Sequence, residues 1–179
     1  MRIGIDISQI VYEGTGVSNY VQEMVRALLT IDKTNQYILF GASLRRRDVF
    51  SKYFHTIYHL SKHVRLKVFP IPPTLLDIFW NMLHIFPIEW FIGDVDVFWS
   101  SDWTQPPLRK AKGITTIHDL TVLRFPESFG DTNIVSVQKR RLAWAKKDCR
   151  NFFCDSMATA KDAQELLGIG NGTVVYPGL

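Results

Sequence analysis

His118 and Asp119 directly follow a short apolar run, Ile114-Thr115-Thr116-Ile117, within the stretch 113–120 that reads GITTIHDL. The run is predicted to be a buried parallel strand, which would deliver both side chains to the point where it stops. In an open parallel sheet, ligands bind beyond the carboxyl ends of the strands, where helix N-termini and loops leave a crevice. An imidazole placed there could donate a hydrogen bond to a substrate hydroxyl or phosphate, or relay a proton. The plainer alternative is a histidine satisfied at the edge of the core. Asp119 could bind a hydroxyl or cap a turn, and before Leu120-Thr121 capping is favoured.

Gly14-Thr15-Gly16 is the second candidate. Two glycines let the backbone approach a ligand closely, and a helix opening at Gly16 would offer free N–H groups to a phosphate or a sugar hydroxyl. A turn that needs positive φ competes with that reading. The stretch is not the dinucleotide fingerprint, because the third small residue would fall on Asn19 and no acid ends the second strand; nicotinamide and flavin chemistry are disfavoured. Asp102, after Ser100 and Ser101, lies on the same rim, with loop capping as its favoured role. No nucleophile elbow and no metal-spaced set of His, Cys or carboxylates occurs, which weakens hydrolase and metalloenzyme readings.

The elements that must position these residues alternate along the chain. Strands are predicted over 2–7, 37–40 (ended by Gly41), 64–69, 94–99, before His118, over 151–154 and over 173–176. Helices are expected from residue 16, where Val17, Tyr20, Val21, Met24, Val25, Leu28 and Leu29 recur at helical spacing behind a Thr15 or Ser18 cap, and over 45–54. Further helices are expected in the aromatic segment 73–93, over 132–147, and over 157–167 between a Ser156 cap and Gly168. About seven strands with intervening helices predict an α/β fold: a Rossmann-like, doubly wound, mainly parallel sheet.

Composition sets the outer limits. The 179 residues suffice for one domain, 1–179, and 46 % apolar with 21 % charged residues is ordinary for a folded chain. A net charge of +4 leans toward anionic partners. Cys149 and Cys154 have no redox, zinc or disulfide-scaffold spacing, so reduced thiols in a cytoplasmic protein are expected. Asp6 inside the first apolar run argues against a signal peptide. Segment 73–93 is rich in Leu, Ile, Phe and Trp but interrupted by Asp77, Asn81, His84, Pro87 and Glu89; a core or interdomain helix is favoured over partial membrane contact. The runs Arg45 to Arg47 and Lys139, Arg140, Arg141, Lys146 and Lys147 are expected to be solvated basic faces, with contact to anionic lipid or substrate as the alternative.

In order along the chain, Arg2-Ile3-Gly4-Ile5-Asp6, Gly14-Thr15-Gly16-Val17-Ser18-Asn19-Tyr20, Asp94-Val95-Asp96-Val97-Phe98, Thr116-Ile117-His118-Asp119-Leu120, Asp155-Ser156 and Val174-Val175-Tyr176-Pro177-Gly178 resemble the N-terminal half of GT-B glycosyltransferases of family 4. The resemblance implies two Rossmann-like domains across a cleft and retaining transfer from a GDP- or UDP-sugar to a saccharide or lipid-linked saccharide acceptor. Mannose, common in the family, is one candidate sugar. It implies that Gly14, Thr15 and Gly16 approach the donor diphosphate and the acceptor and that His118 contacts the transferred sugar; Asp119, within a matched motif, and Asp102, by its strand-end position on the same rim, are the substrate-side candidates. No cofactor beyond the donor, no metal and no nucleic acid is implied. The expected place of action is the cytoplasm, including peripheral contact at the inner face of the cytoplasmic membrane. Because the last strand leads into Pro177-Gly178, the chain is expected to end at a domain boundary, with the donor-binding domain missing and the fragment inactive alone. Two other readings stay open: a non-catalytic binding or assembly module that pairs with a separate chain, and a flavodoxin-like nucleotide switch.

Overall fold

The structure, a computed structural model, describes residues 1–130 and 132–178; Asp131 and Leu179, the last residue of the expected domain span, lie outside that description. Seven parallel strands form one sheet: β1 (Arg2–Asp6), β2 (Gln36–Ala42), β3 (Val64–Phe69), β4 (Val97–Ser100), β5 (Lys112–Ile117), β6 (Cys149–Cys154) and β7 (Gly172–Val174). Their spatial order is β3-β2-β1-β4-β5-β6-β7, so the order reverses between β1 and β4. The fold is therefore α/β and Rossmann-like, and that reversal is where such sheets open a ligand crevice.

Helices cover both faces. Along β1 the side chains alternate, and Ile3, Ile5 and Ile7 join Leu39 and Trp99 against α1 (Gly16–Ile31) and α2 (Arg47–Ile57). On the other face, Ile38, Phe40 and Phe98 pack with Leu76, Trp80, Ile88 and Ile92 of the aromatic segment. The predicted caps form: the Thr15 hydroxyl accepts the Ser18 N–H at 3.2 Å, the Ser156 hydroxyl accepts the Thr159 N–H at 3.1 Å, and Gly168 closes α7 (Met157–Leu167) at φ 68°. Ser18 itself is buried, its hydroxyl donating to the Ile10 carbonyl.

Three expectations are corrected. Gly41 does not end β2 but lies inside it, paired with Val68. A Cβ there would come within 2.9 Å of the Phe50 ring of α2, so the glycine serves close helix–strand packing rather than termination. The aromatic segment is not one helix. It breaks into α3 (Pro73–Leu76), a wide π turn (Asp77–Met82) and α4 (Glu89–Ile92), with His84 and Phe86 at positive φ between them. The break lets Trp80 face the sheet while its indole N–H reaches the Phe86 carbonyl at 3.0 Å. No helix among the described residues is long and apolar enough to cross a membrane.

The third correction concerns α6 (Ile134–Asp148). Arg141 is not part of a solvated face: it is 1 % exposed and donates to the carbonyls of Ser101 and Thr116 and to the Thr115 hydroxyl. Positions 137, 141 and 145 share the inner face, and a planar fork of donors suits the free carbonyls at strand ends. Arg140 is half-buried and pairs with Asp77 at 3.0 Å. Between β5 and α6 a short helix α5 (Thr121–Arg124) and a 3₁₀ turn (Pro126–Phe129) fill what reads as loop.

Candidate active site

His118 leaves β5 at its carboxyl end, and its ring is fixed on two sides. Nδ1 lies 2.6 Å from Asp155 Oδ2, at the matching end of β6, and the Tyr20 ring of α1 meets the imidazole edge-on at 5.0 Å between centroids. A carboxylate on Nδ1 favours the tautomer protonated there, which leaves Nε2 as an acceptor or, when protonated, a donor. The first turn of α7 closes the arrangement, since the Thr159 hydroxyl donates to the His118 carbonyl at 3.1 Å. The histidine is thus oriented by groups 37 residues downstream and 98 residues upstream in sequence.

The Gly14 to Gly16 turn stands exposed at the start of α1, four residues before Tyr20. Gly14 has φ +79°, which glycine adopts without strain, and a Cβ added at Gly14 or Gly16 would meet nothing within 4 Å. Open space therefore faces both glycines. The loop ahead of them is held by Arg46, which bonds the Val11 carbonyl and pairs with Glu13 at 2.8 Å. Arg46, from the first basic run, is thereby committed to shaping this loop.

Asp102 lines the same narrow cavity as His118, with its carboxylate 4.0 Å from the buried Arg141 guanidinium. Asp119 is exposed and accepts the Thr121 N–H at 2.9 Å, so it caps the turn into α5. The structure thus brings His118 and Asp102 to one cavity and sets Tyr20 of α1 against His118, whereas Gly14, Thr15 and Gly16 do not line that cavity. It commits the Asp119 carboxylate to its own loop.

Asp6, like Asp155 and Tyr20, is a residue that sequence reasoning passed over as part of a site. It ends β1 at the reversal point, is 2 % exposed, and accepts the Ser8 N–H at 2.8 Å on one oxygen. Burial pushes its carboxyl up to about 6, against the opposing pull of the Ser8 hydrogen bonds. Asp6 and Gln9 line the His118 cavity, whose volume of about 10 Å³ is near the minimum for one water. Asp6 Oδ2, Gln9 Nε2, the Tyr20 hydroxyl and Asp155 Oδ1 are buried without a protein hydrogen-bond partner. Such groups cost about 1–3 kcal/mol each when left unsatisfied. A carboxylate directly closing the apolar Ile3-Gly4-Ile5 run was the available signal for Asp6.

Gln9 and Ser101 also line a larger cleft of about 360 Å³, walled by Tyr12, Trp103, Pro73 and Asp77. That volume lies within the range of small-molecule sites. Two exposed aromatic rings beside hydroxyl and amide groups suit a polyhydroxylated ligand, apolar on its ring faces and polar at its edges. Fold and strand-end cluster together define a Rossmann-like α/β domain with its polar groups gathered at the β1/β4 reversal. Comparison of the chain with known protein families, curated proteins and solved structures found no match.

Proposed function

We propose that the chain is the acceptor-side domain of a retaining, sugar-nucleotide-dependent glycosyltransferase. The observation that carries the reading is the His118–Asp155 pair at the end of β5, set by Tyr20 against the helix that the glycine turn opens. Loss of a nucleoside diphosphate develops negative charge at the leaving oxygen, and a helix N-terminus with open space before it can stabilise such charge. In this scheme His118 Nε2 hydrogen-bonds a hydroxyl of the transferred sugar, the glycine turn faces the donor diphosphate, and the 360 Å³ cleft receives the acceptor saccharide. A GDP- or UDP-hexose is the donor class, and the donor-side domain supplies the remaining wall of the site.

The test is sugar transfer from labelled UDP- and GDP-hexoses by the full-length protein that carries this domain. His118→Ala is expected to lower the rate at least about 100-fold, in the range for removal of a positioned acid–base group. Wild-type rates in that variant with every donor accepted by the parent would defeat the assignment of His118. Stable co-purification with a separate chain, together with no transfer by the pair, would instead favour a binding or assembly module.

A further inference from the structure

Two side chains at the end of β1 have hydrogen-bonding capacity that the protein itself does not use. Asp6 commits Oδ1 to the Ser8 N–H at 2.8 Å, and its Oδ2 is buried with no protein partner. Gln9, 3 % exposed in the 3₁₀ turn that follows (Ser8–Val11), has its Nε2 buried in the same condition. The carboxylate oxygen is an acceptor when ionised, and the amide nitrogen carries two donor hydrogens. Both residues line the cavity of about 10 Å³ that His118 also lines. Buried polar groups are nearly always paired, so two orphans on one cavity point to a shared partner inside it.

The size and lining of the cavity select that partner. About 10 Å³ is the room one water needs, and too little for a phosphate or for a hydroxyl carried on a sugar ring. A cation suits the walls poorly, because the Gln9 amide nitrogen brings only donors and the buried Arg141 guanidinium lies 4.0 Å from Asp102. Among the described residues, no group of three or more His, Cys, Asp or Glu could hold a metal ion. A water has a hydrogen to give Asp6 Oδ2 and a lone pair for Gln9 Nε2. In so small a space it also meets the His118 wall.

We propose that one buried water, held between Asp6 Oδ2 and Gln9 Nε2, links Asp6 to His118 and makes Asp6 a positioning residue for the imidazole. Asp155 is then one carboxyl acting on the ring, directly at Nδ1, and Asp6 is a second, acting through the water. Gln9 and Ser101 line the 360 Å³ cleft as well as this cavity, so the water lies one side chain away from anything the cleft binds. The link concerns the chain's own residues and does not rest on the transferase reading.

The experiment is NMR on the isotopically labelled chain at one mildly alkaline pH, where Asp6, pushed up to about 6 by burial, is ionised. The Gln9 side-chain amide is expected to show a nuclear Overhauser cross-peak to a long-lived water, and Gln9→Met should remove that water. Asp6→Asn keeps an oxygen for the Ser8 N–H but puts an NH₂ donor in place of Oδ2, so the water must reorient. The His118 imidazole resonances should therefore move in Asp6→Asn and also in Gln9→Met, which leaves every charge in place, while those of exposed His55 and His63 stay. If Asp6 served only to hold the Ser8 turn, Asp6→Asn would leave the His118 signals where they are. Absence of the water cross-peak in the wild type overturns the proposal, as does a Gln9 amide bonded directly to Asp6. So do His118 signals that stay put in both variants, or that move in Asp6→Asn alone, which would assign the effect to the Asp6 charge without the water. The cross-peak needs no variant, so a Gln9→Met chain that fails to fold leaves the decision with it and with Asp6→Asn.

Discussion

The burial of Asp6 is the sharpest residue-scale feature, because a carboxyl raised from 3.8 to about 6 makes stability depend on pH. The fold favours the protonated form. Its contribution is complete below about pH 4 and is lost as pH rises through about 6. Asp6→Asn cannot ionise, yet its amide oxygen can still accept the Ser8 N–H. It should therefore be more stable than wild type by about 3 kcal/mol at about pH 8, with the gain vanishing below about pH 4. Urea unfolding at both pH values checks this, and a pH-independent difference would show that burial does not raise this carboxyl. The same substitution should lower transfer if Asp6 serves the site, a trade of activity against stability common at strained polar clusters.

At the scale of elements, the close approach of α2 to β2 rests on the missing side chain at Gly41. Gly41→Ala would drive a methyl into the Phe50 ring at 2.9 Å, where a packed helix and strand have little room to shift. Overpacking of this kind costs about 1–3 kcal/mol. The urea midpoint should fall accordingly, and part of the loss should return when Phe50→Leu is combined with it. An unchanged midpoint in Gly41→Ala would mean the helix simply moves aside. Arg141 plays the corresponding part on the opposite face, tying α6 to the carboxyl ends of β4 and β5 through the carbonyls of Ser101 and Thr116. By holding those ends, it also fixes the floor beneath Asp102 and His118.

Over the whole molecule, both cysteines are free and buried, one opening β6 and the other closing it. Burial pushes the Cys149 thiol up to about 12 and raises that of Cys154 as well. Thiolate is the reactive form, so a disulfide-exchange reagent at about pH 8 should label neither thiol in the native protein and both in urea. The labelling rate should then report opening of the β5–β6–β7 half of the sheet. Rapid labelling of Cys154 without denaturant would place that edge outside the cooperative unit.

Much of the architecture is written in local patterns. Helical spacing from Val17 to Leu29, the Thr15 and Ser156 caps and the Gly168 stop depend on neighbours within a few residues, and so could be read before any fold existed. The alternation of strands and helices likewise dictates a parallel, doubly wound sheet, and the strand-end position of His118 follows from it. What tertiary structure alone decided are the partnerships across long stretches of chain. The meeting of His118 with Asp155, the seclusion of Asp6, the turning inward of Arg141 and the packing of Phe50 over Gly41 all depend on which elements become neighbours. The aromatic segment belongs there too, because its composition permits a helix while the burial of both Trp80 and Ile92 against the sheet accompanies its break into short turns. Periodicity encodes which side of an element is apolar. It carries no record of what that side will touch, and the chemistry of a site is set by what touches it.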